Sequence, residues 1–228
     1  TTIPFPVLVT AFDSLTENKE RNSHQYAEYN YRLSFTDPVK QSNYYRVVVV
    51  ESEARKSAFV FETDTLNFID ISLFPRNVDV SSTDPILSNK NKDANSYVFG
   101  ELENKYKIFS DEMIDGKHYD LNIVADFTSS FFHDKEEIDY EAGEFSMVKV
   151  ILQSLSADMY YYLRSIEAQE YSDNMIFTEP VPIYSNVDNG FGVFGGYSNS
   201  EIEIIYGQYP KEGVRYLTWK DISNLFEQ

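Results

Sequence analysis

Apolar and polar residues alternate along much of the chain, which is the pattern of β-strands with one buried face. The clearest case is the segment 29–35 (YNYRLSF), whose odd-numbered residues are all apolar. The segment 43–50 (NYYRVVVV) ends in β-branched residues on both faces, so we predict a central strand there. Further strands are predicted at Ser57–Phe61, Leu66–Ile71, Tyr106–Phe109, His118–Phe127, Met147–Leu152, Val181–Tyr184 and 201–207.

The segment 154–170 (SLSADMYYYLRSIEAQE) departs from this alternation, because its apolar residues recur at the spacing of a helix. Ser156 is well placed as an N-cap, and Asp158 in the first turn complements the helix dipole. We therefore predict one amphipathic helix at about 156–169. Its apolar stripe consists of Met159, Tyr162, Leu163 and Ile166.

The connections are marked by polar residues, proline and glycine. Residues 73–96 are polar and interrupted by prolines, which predicts a long surface loop, and Asp115-Gly116 predicts a turn before the strand at His118. Strands outnumber the single helix, and we see no internal repeat and no clear linker. The predicted fold is mainly β, an antiparallel β-sandwich or open barrel with one amphipathic helix, in a single β-rich domain over 1–228.

The charge of the chain narrows the classes of partner. The formal net charge is −18, which opposes nucleic-acid binding and a polybasic contact with anionic lipid. The chain has no cysteine, so thiolate zinc sites and cysteine nucleophiles are excluded. The three histidines lie in separate polar contexts, and none belongs to an H-E-x-x-H pair. We predict no cofactor.

The segment 189–196 (NGFGVFGG) contains the spacing G-x-G-x-x-G of a dinucleotide fingerprint. A turn sequence precedes it and a β-alternating run follows it, whereas a phosphate cradle requires a strand before and a helix after. Asn189-Gly190 favours a hairpin turn. We interpret the glycines as allowing positive φ and close approach where a sheet bends, while Phe191, Val193 and Phe194 pack.

Two acidic segments and one tyrosine run are candidate sites. In the window 133–144, Glu137, Asp139 and Glu141 alternate with apolar residues, so we predict a solvated strand edge rather than a calcium loop. Asp111 and Asp115 flank the predicted turn and, with Glu179, are candidate acid–base residues of an enzyme, although turn formation also explains them. Possible contacts to a ligand or partner are Tyr160, Tyr161 and Arg164.

The segment 179–198 (EPVPIYSNVDNGFGVFGGYS) resembles the hallmark of a Bacteroidota surface lipoprotein family of unknown function, DUF4249. Three further segments fit the same pattern in the expected order, so the resemblance extends over nearly the whole chain. They are 43–47 (NYYRV), 110–119 (SDEMIDGKHY) and 155–167 (LSADMYYYLRSIE).

The resemblance implies that a lipidated cysteine and a small N-terminal β-sandwich precede the region that starts at Thr1. It also implies a surface-exposed place in the outer membrane, held only through that lipid anchor, beside TonB-dependent transporters of the SusC kind. No catalytic residues are assigned to the family. We interpret its motif residues as architecture: Glu179, Pro180, Tyr184, Asn186, Asn189, Gly190, Gly192 and Gly195.

Three functions follow as hypotheses. The first is a non-catalytic surface lipoprotein module, accessory to a SusC-like transporter, that docks on the transporter or captures a glycan or peptide nutrient. The second is an enzyme that processes glycan or peptide with paired carboxylates, which requires a concave pocket holding two of them. The third is a structural component of an envelope complex.

Overall fold

The computed structural model describes residues 9–21, 24–39, 41–61, 64–71, 75–87, 104–127, 145–173 and 181–207. Ten strands and one helix lie in these ranges. They are β1 (Val9–Arg21), β2 (His24–Thr36), β3 (Tyr44–Phe61), β4 (Asp64–Ile71), β5 (Arg76–Asn77), β6 (Asp79–Ser81), β7 (Ile108–Ser110), β8 (His118–Phe127), β9 (Phe145–Leu155), α1 (Ala157–Asp173) and β10 (Tyr197–Gly207).

The strands form two antiparallel sheets. One has the order β1-β2-β8-β6 and the other β10-β9-β3-β4, with β5 and β7 also pairing with β3. The predicted mainly β fold with antiparallel sheets and one helix is confirmed. Because β3 has strand neighbours on both sides, its predicted central place is confirmed as well.

The core lies between the two sheets. In β2 the alternating residues from Tyr29 to Phe35 are buried, and β8 buries every second residue from Leu121 to Phe127. These side chains form one cluster with those of β3 and β9, and the rings of Phe35 and Tyr45 bridge the sheets with centroids 5.6 Å apart. The period-2 pattern thus gives each sheet one apolar face, and the two faces pack as a sandwich.

Several predicted boundaries are wrong, for reasons that lie in pairing between distant segments. The predicted separate strand Ser57–Phe61 is the continuation of β3, which pairs with β4 there. The predicted loop at 73–96 contains β5 and β6, which pair with β3 and β8 respectively. Residues 88–96 lie outside the described ranges. Val181–Tyr184 is not a strand, since the Tyr184 N–H donates to Ser165 Oγ on α1 at 2.9 Å.

The turn at Asp115-Gly116 is confirmed, and it carries the chain from one sheet to the other. Gly116 has φ 67°, which a residue with a side chain rarely adopts, and its N–H donates to Asp37 Oδ2 at 2.9 Å. β7 pairs with β3 and β8 pairs with β2, so the two strands flanking this segment belong to different sheets.

α1 packs on the outer face of the second sheet. Ser156 caps it as predicted, since its Oγ accepts the Met159 N–H at 3.3 Å, and the helix extends to Asp173 rather than to 169. Leu163 is the stripe residue that is buried, and it packs with Ile108 and Leu155. The remaining stripe residues are half-buried. Within the described residues, no helix combines the length and apolar character needed to cross a bilayer.

Candidate functional site

The glycine-rich segment 181–196 leads into β10. Its turn is closed by the Gly190 N–H, which donates to the Val187 carbonyl at 3.4 Å, and Asn189 has φ 58°. The predicted hairpin is wrong, because this turn lies inside a loop and not between paired strands. After the last glycine, β10 begins at Tyr197. The segment therefore lacks the helix N-terminus that a dinucleotide fingerprint uses.

This loop is closed on itself by Asn186 and is held against the start of α1 by Ser156 and by a close approach at Gly195. The Asn186 amide donates to the Phe194 carbonyl at 3.0 Å and accepts the Phe194 N–H at 2.8 Å. The Ser156 N–H donates to the Gly196 carbonyl at 2.8 Å, and the Gly196 N–H donates to Ser156 Oγ at 3.1 Å. A Cβ added at Gly195 would lie 2.9 Å from Met159 Cβ, so glycine permits this approach. The glycines thus seat a loop on a helix, and the prediction that they bend a sheet is wrong.

The loop presents its phenylalanines to solvent. Phe191 is fully exposed (103%) and Phe194 is 75% exposed, so the prediction that they pack is wrong. The loop meets the helix through its backbone at Tyr184 and Gly196 and through the Tyr184 hydroxyl, which donates to Asp158 Oδ1 at 2.6 Å. Ile183 and Val187 of the same loop are also exposed. Asp188 is the one charged residue in 181–196, whereas 25% of the whole chain is charged.

The tyrosines at the start of α1 form a cluster with residues distant in sequence. Tyr160, one of the predicted contact residues, is half-buried and stacks on Tyr44 of β3 with ring centroids 4.5 Å apart. Tyr161 is 46% exposed, its hydroxyl lies 3.1 Å from that of Tyr44, and its ring lies 6.0 Å from the ring of Tyr184. The bond to Tyr161 raises the pKa of Tyr44 to about 12.

Arg164, the third predicted contact residue, takes part in packing the helix. Its Nη1 donates to Glu167 Oε2 at 3.2 Å, and the Glu167 carboxylate also accepts the Tyr106 N–H at 2.9 Å. Glu167 is buried, and this burial raises its pKa against the opposing effect of its hydrogen bonds. The Arg164 guanidinium therefore pairs with a buried acid. Of the three predicted contact residues, Tyr161 is the one that is exposed.

The structure brings the candidate carboxylates Asp111 and Asp115 together and adds Asp37, which the sequence analysis missed. Carboxylate oxygens of these three residues lie within 4.8 Å of one another. A cavity of about 410 Å³ adjoins them, and its lining has no basic side chain. It is lined by Gln41, Ser42, Asp111, Glu112 and Asp115. The sequence feature that could have pointed to Asp37 is the Asp37-Pro38 pair, which begins the connection between β2 and β3.

Two of these carboxylates already serve the fold. Asp111 Oδ2 accepts the Asn43 N–H at 2.7 Å and its side-chain amide at 3.2 Å. Asp37 is buried and accepts the Tyr45 hydroxyl and the Gly116 N–H, and burial is the main reason that its pKa is raised. Asp115 is exposed. Oxygen donors of this kind suit a hard divalent cation, to which Asp115 offers the accessible ligand.

The remaining predicted site residues fall outside the described ranges. These are Glu179 and Pro180 of the glycine-block motif, and Glu137, Asp139 and Glu141 of the acidic window. Their predicted roles stay predictions.

The comparison with protein families decides the relationship of the chain. The model of a family described as "Domain of unknown function (DUF4249)" matches residues 1–203. The chain belongs to the DUF4249 family. No curated protein and no solved structure matches it.

Membership of DUF4249 confirms the resemblance that was inferred from the segment 179–198. The match covers the acidic cavity, the tyrosine cluster and the whole of the loop 181–196, so all three belong to the family region of the chain. The lipoprotein character and the outer-membrane location expected for such proteins stay predictions.

Proposed function

We propose that this DUF4249 chain is a non-catalytic binding module of a surface lipoprotein, accessory to a SusC-like TonB-dependent transporter in nutrient binding or uptake. In this role the chain contributes a recognition surface, and the transporter carries out the movement of the nutrient.

The observation that carries the proposal is the loop 181–196. Exposed aromatic side chains on a segment with a single charge have the composition of the centre of a protein–protein interface, where charge is depleted and aromatics are enriched. The loop is also fixed before any partner arrives, through Asn186 and Ser156. Fixing a binding loop in advance lowers the entropy cost of association.

The proposal is tested by affinity purification of the full-length protein from its own membranes under mild detergent, followed by mass spectrometry. We expect a SusC-like transporter barrel to be enriched with the wild-type protein. The matched control is the same purification of an unrelated outer-membrane lipoprotein carrying the same tag. A wild-type sample that enriches the barrel no more than this control would refute the transporter association.

A second candidate function, a carboxylate enzyme acting on glycan or peptide, is favoured by the cavity beside Asp111 and Asp115. The two acids lie together in a concave site, which is the arrangement this hypothesis requires. Against it, Asp111 is committed to bracing the segment at Asn43. Hydrolysis of a panel of oligosaccharides and peptides that Asp115→Asn abolishes, while the fold is unchanged, would favour this function over the first.

A further inference from the structure

The loop 181–196 carries the exposed rings of Phe191 and Phe194, and through Tyr184 it lies beside the exposed ring of Tyr161 on the helix. The loop contacts α1 at three points that follow one another along the helix, from Gly196 at Ser156, through Gly195 at Met159, to Tyr184 at Ser165. Tyr161 lies between the second and third of these points and its ring is next to that of Tyr184. We call the surface formed by Phe191, Phe194 and Tyr161 the aromatic docking surface.

We infer that the aromatic docking surface binds a different protein, which presents an apolar pocket for the two phenylalanines and a neutral or basic rim. This inference rests on the proposed function, since it names the contact surface of the binding module and the chemistry of its partner. Phe191 enters the pocket as the more exposed ring, and Phe194 adds a second ring at the position whose backbone is bonded to Asn186.

The geometry of the clamp gives Asn186 a defined role as a positioning residue. Its side chain satisfies both backbone groups of Phe194, and it does so from the far side of the turn at 187–190. Phe191 lies within the stretch of chain that this pair closes. The ring is thus carried on a closed loop whose two ends are tied together, which suits insertion as a rigid knob.

The charge of the chain selects among the possible occupants. A second copy would bring together two chains that each have a net charge of −18, and their repulsion opposes such a dimer. A lipid surface is disfavoured because 181–196 contains no Lys, Arg or Trp, the residues that hold loops at membrane interfaces. A protein pocket with a neutral or basic rim satisfies both the apolar surface and the surrounding negative charge.

The inference is tested by site-specific photocrosslinking of the full-length protein in its native cells. The photoreactive residue p-benzoylphenylalanine replaces Phe191, Phe194 or, as a control, Met113. Met113 is an apolar side chain that is also largely exposed (63%), so its accessibility is similar to that of Phe194. It lies in a different loop, outside the aromatic docking surface. We expect positions 191 and 194 to crosslink to one segment of one protein, and position 113 to give no adduct with that segment.

Each alternative occupant has its own product in this experiment. Adducts of the chain with itself, adducts with lipid, or adducts scattered over many proteins at positions 191 and 194 would each overturn the inference. Asn186→Ala combined with the crosslinker at 191 should lower the yield roughly tenfold, as expected when a preorganised loop is released. An unchanged yield would remove the positioning role of Asn186. Thermal unfolding of each variant establishes that it is folded.

The inference and the proposed function fail in different ways. If the transporter barrel is captured equally by the wild-type protein and by Phe191→Ser/Phe194→Ser, the transporter association stands and the docking surface is wrong. If positions 191 and 194 crosslink to one site on another protein, and the purification enriches the transporter barrel no more than the control does, the docking surface stands and the transporter association is wrong.

Discussion

Replacing Ser156 with alanine tests whether one hydroxyl holds the loop 181–196 on the helix. The Ser156 Oγ accepts the Met159 N–H at the start of α1 and the Gly196 N–H at the end of the loop. Alanine removes the acceptor for both donors, while the bond from the Ser156 N–H to the Gly196 carbonyl is kept. Because residue 156 is only 6% exposed, water cannot easily take the place of the hydroxyl.

The magnitude follows from these two bonds. Loss of a helix N-cap costs about 1 kcal/mol. Loss of a second partly buried hydrogen bond that leaves a backbone N–H unpaired costs about 1–2 kcal/mol. We therefore expect Ser156→Ala to lower the free energy of unfolding by about 2–3 kcal/mol.

The assay is urea unfolding followed by circular dichroism, with hydrogen exchange of the Met159 and Gly196 amides as the local measurement. Ser154→Ala is the matched control, since Ser154 is buried two residues away and its hydroxyl has no partner among the described residues. Its loss should be close to neutral. If Ser156→Ala costs no more than Ser154→Ala, and neither amide exchanges faster, the double role of Ser156 is refuted.

Three further outcomes are expected. Gly195→Ala places a methyl group against Met159 and should cost about 1–3 kcal/mol in urea unfolding, and an unchanged midpoint would contradict the tight approach. Burial raises the pKa of Glu167, so the stability linked to this group is present at low pH and is lost as the pH rises through its folded pKa. The Glu167→Gln variant has no such titration. Urea unfolding across about pH 4–7 should therefore show that the free energy of unfolding of the wild type, relative to that of the variant, falls as the pH rises. A difference that grows with pH would mean that folding lowers the pKa of Glu167. Phe191→Ser/Phe194→Ser should change stability by no more than about 0.5 kcal/mol because both rings are exposed, and a larger loss would show that they pack.

The sequence by itself determined the local elements of this protein. The alternation in β2 and β8 and the cap at Ser156 were readable because side-chain period and capping depend on neighbours within a few positions. The segment 179–198 likewise indicated membership of the DUF4249 family. Even so, local pattern could not place β5 and β6, whose short strands exist because β3 and β8 offer them hydrogen-bonding partners.

The tertiary structure alone decided which surfaces are covered. Phe191 and Phe194 have the composition of core residues, yet the loop that carries them is seated on the helix through its backbone, Asn186 closes the loop on itself, and both rings are exposed. Asp37 and Asp111 meet although more than seventy positions separate them, because the turn before β8 crosses from one sheet to the other. Burial and proximity are properties of contacts between distant segments, and a sequence pattern records only what each segment contributes to them.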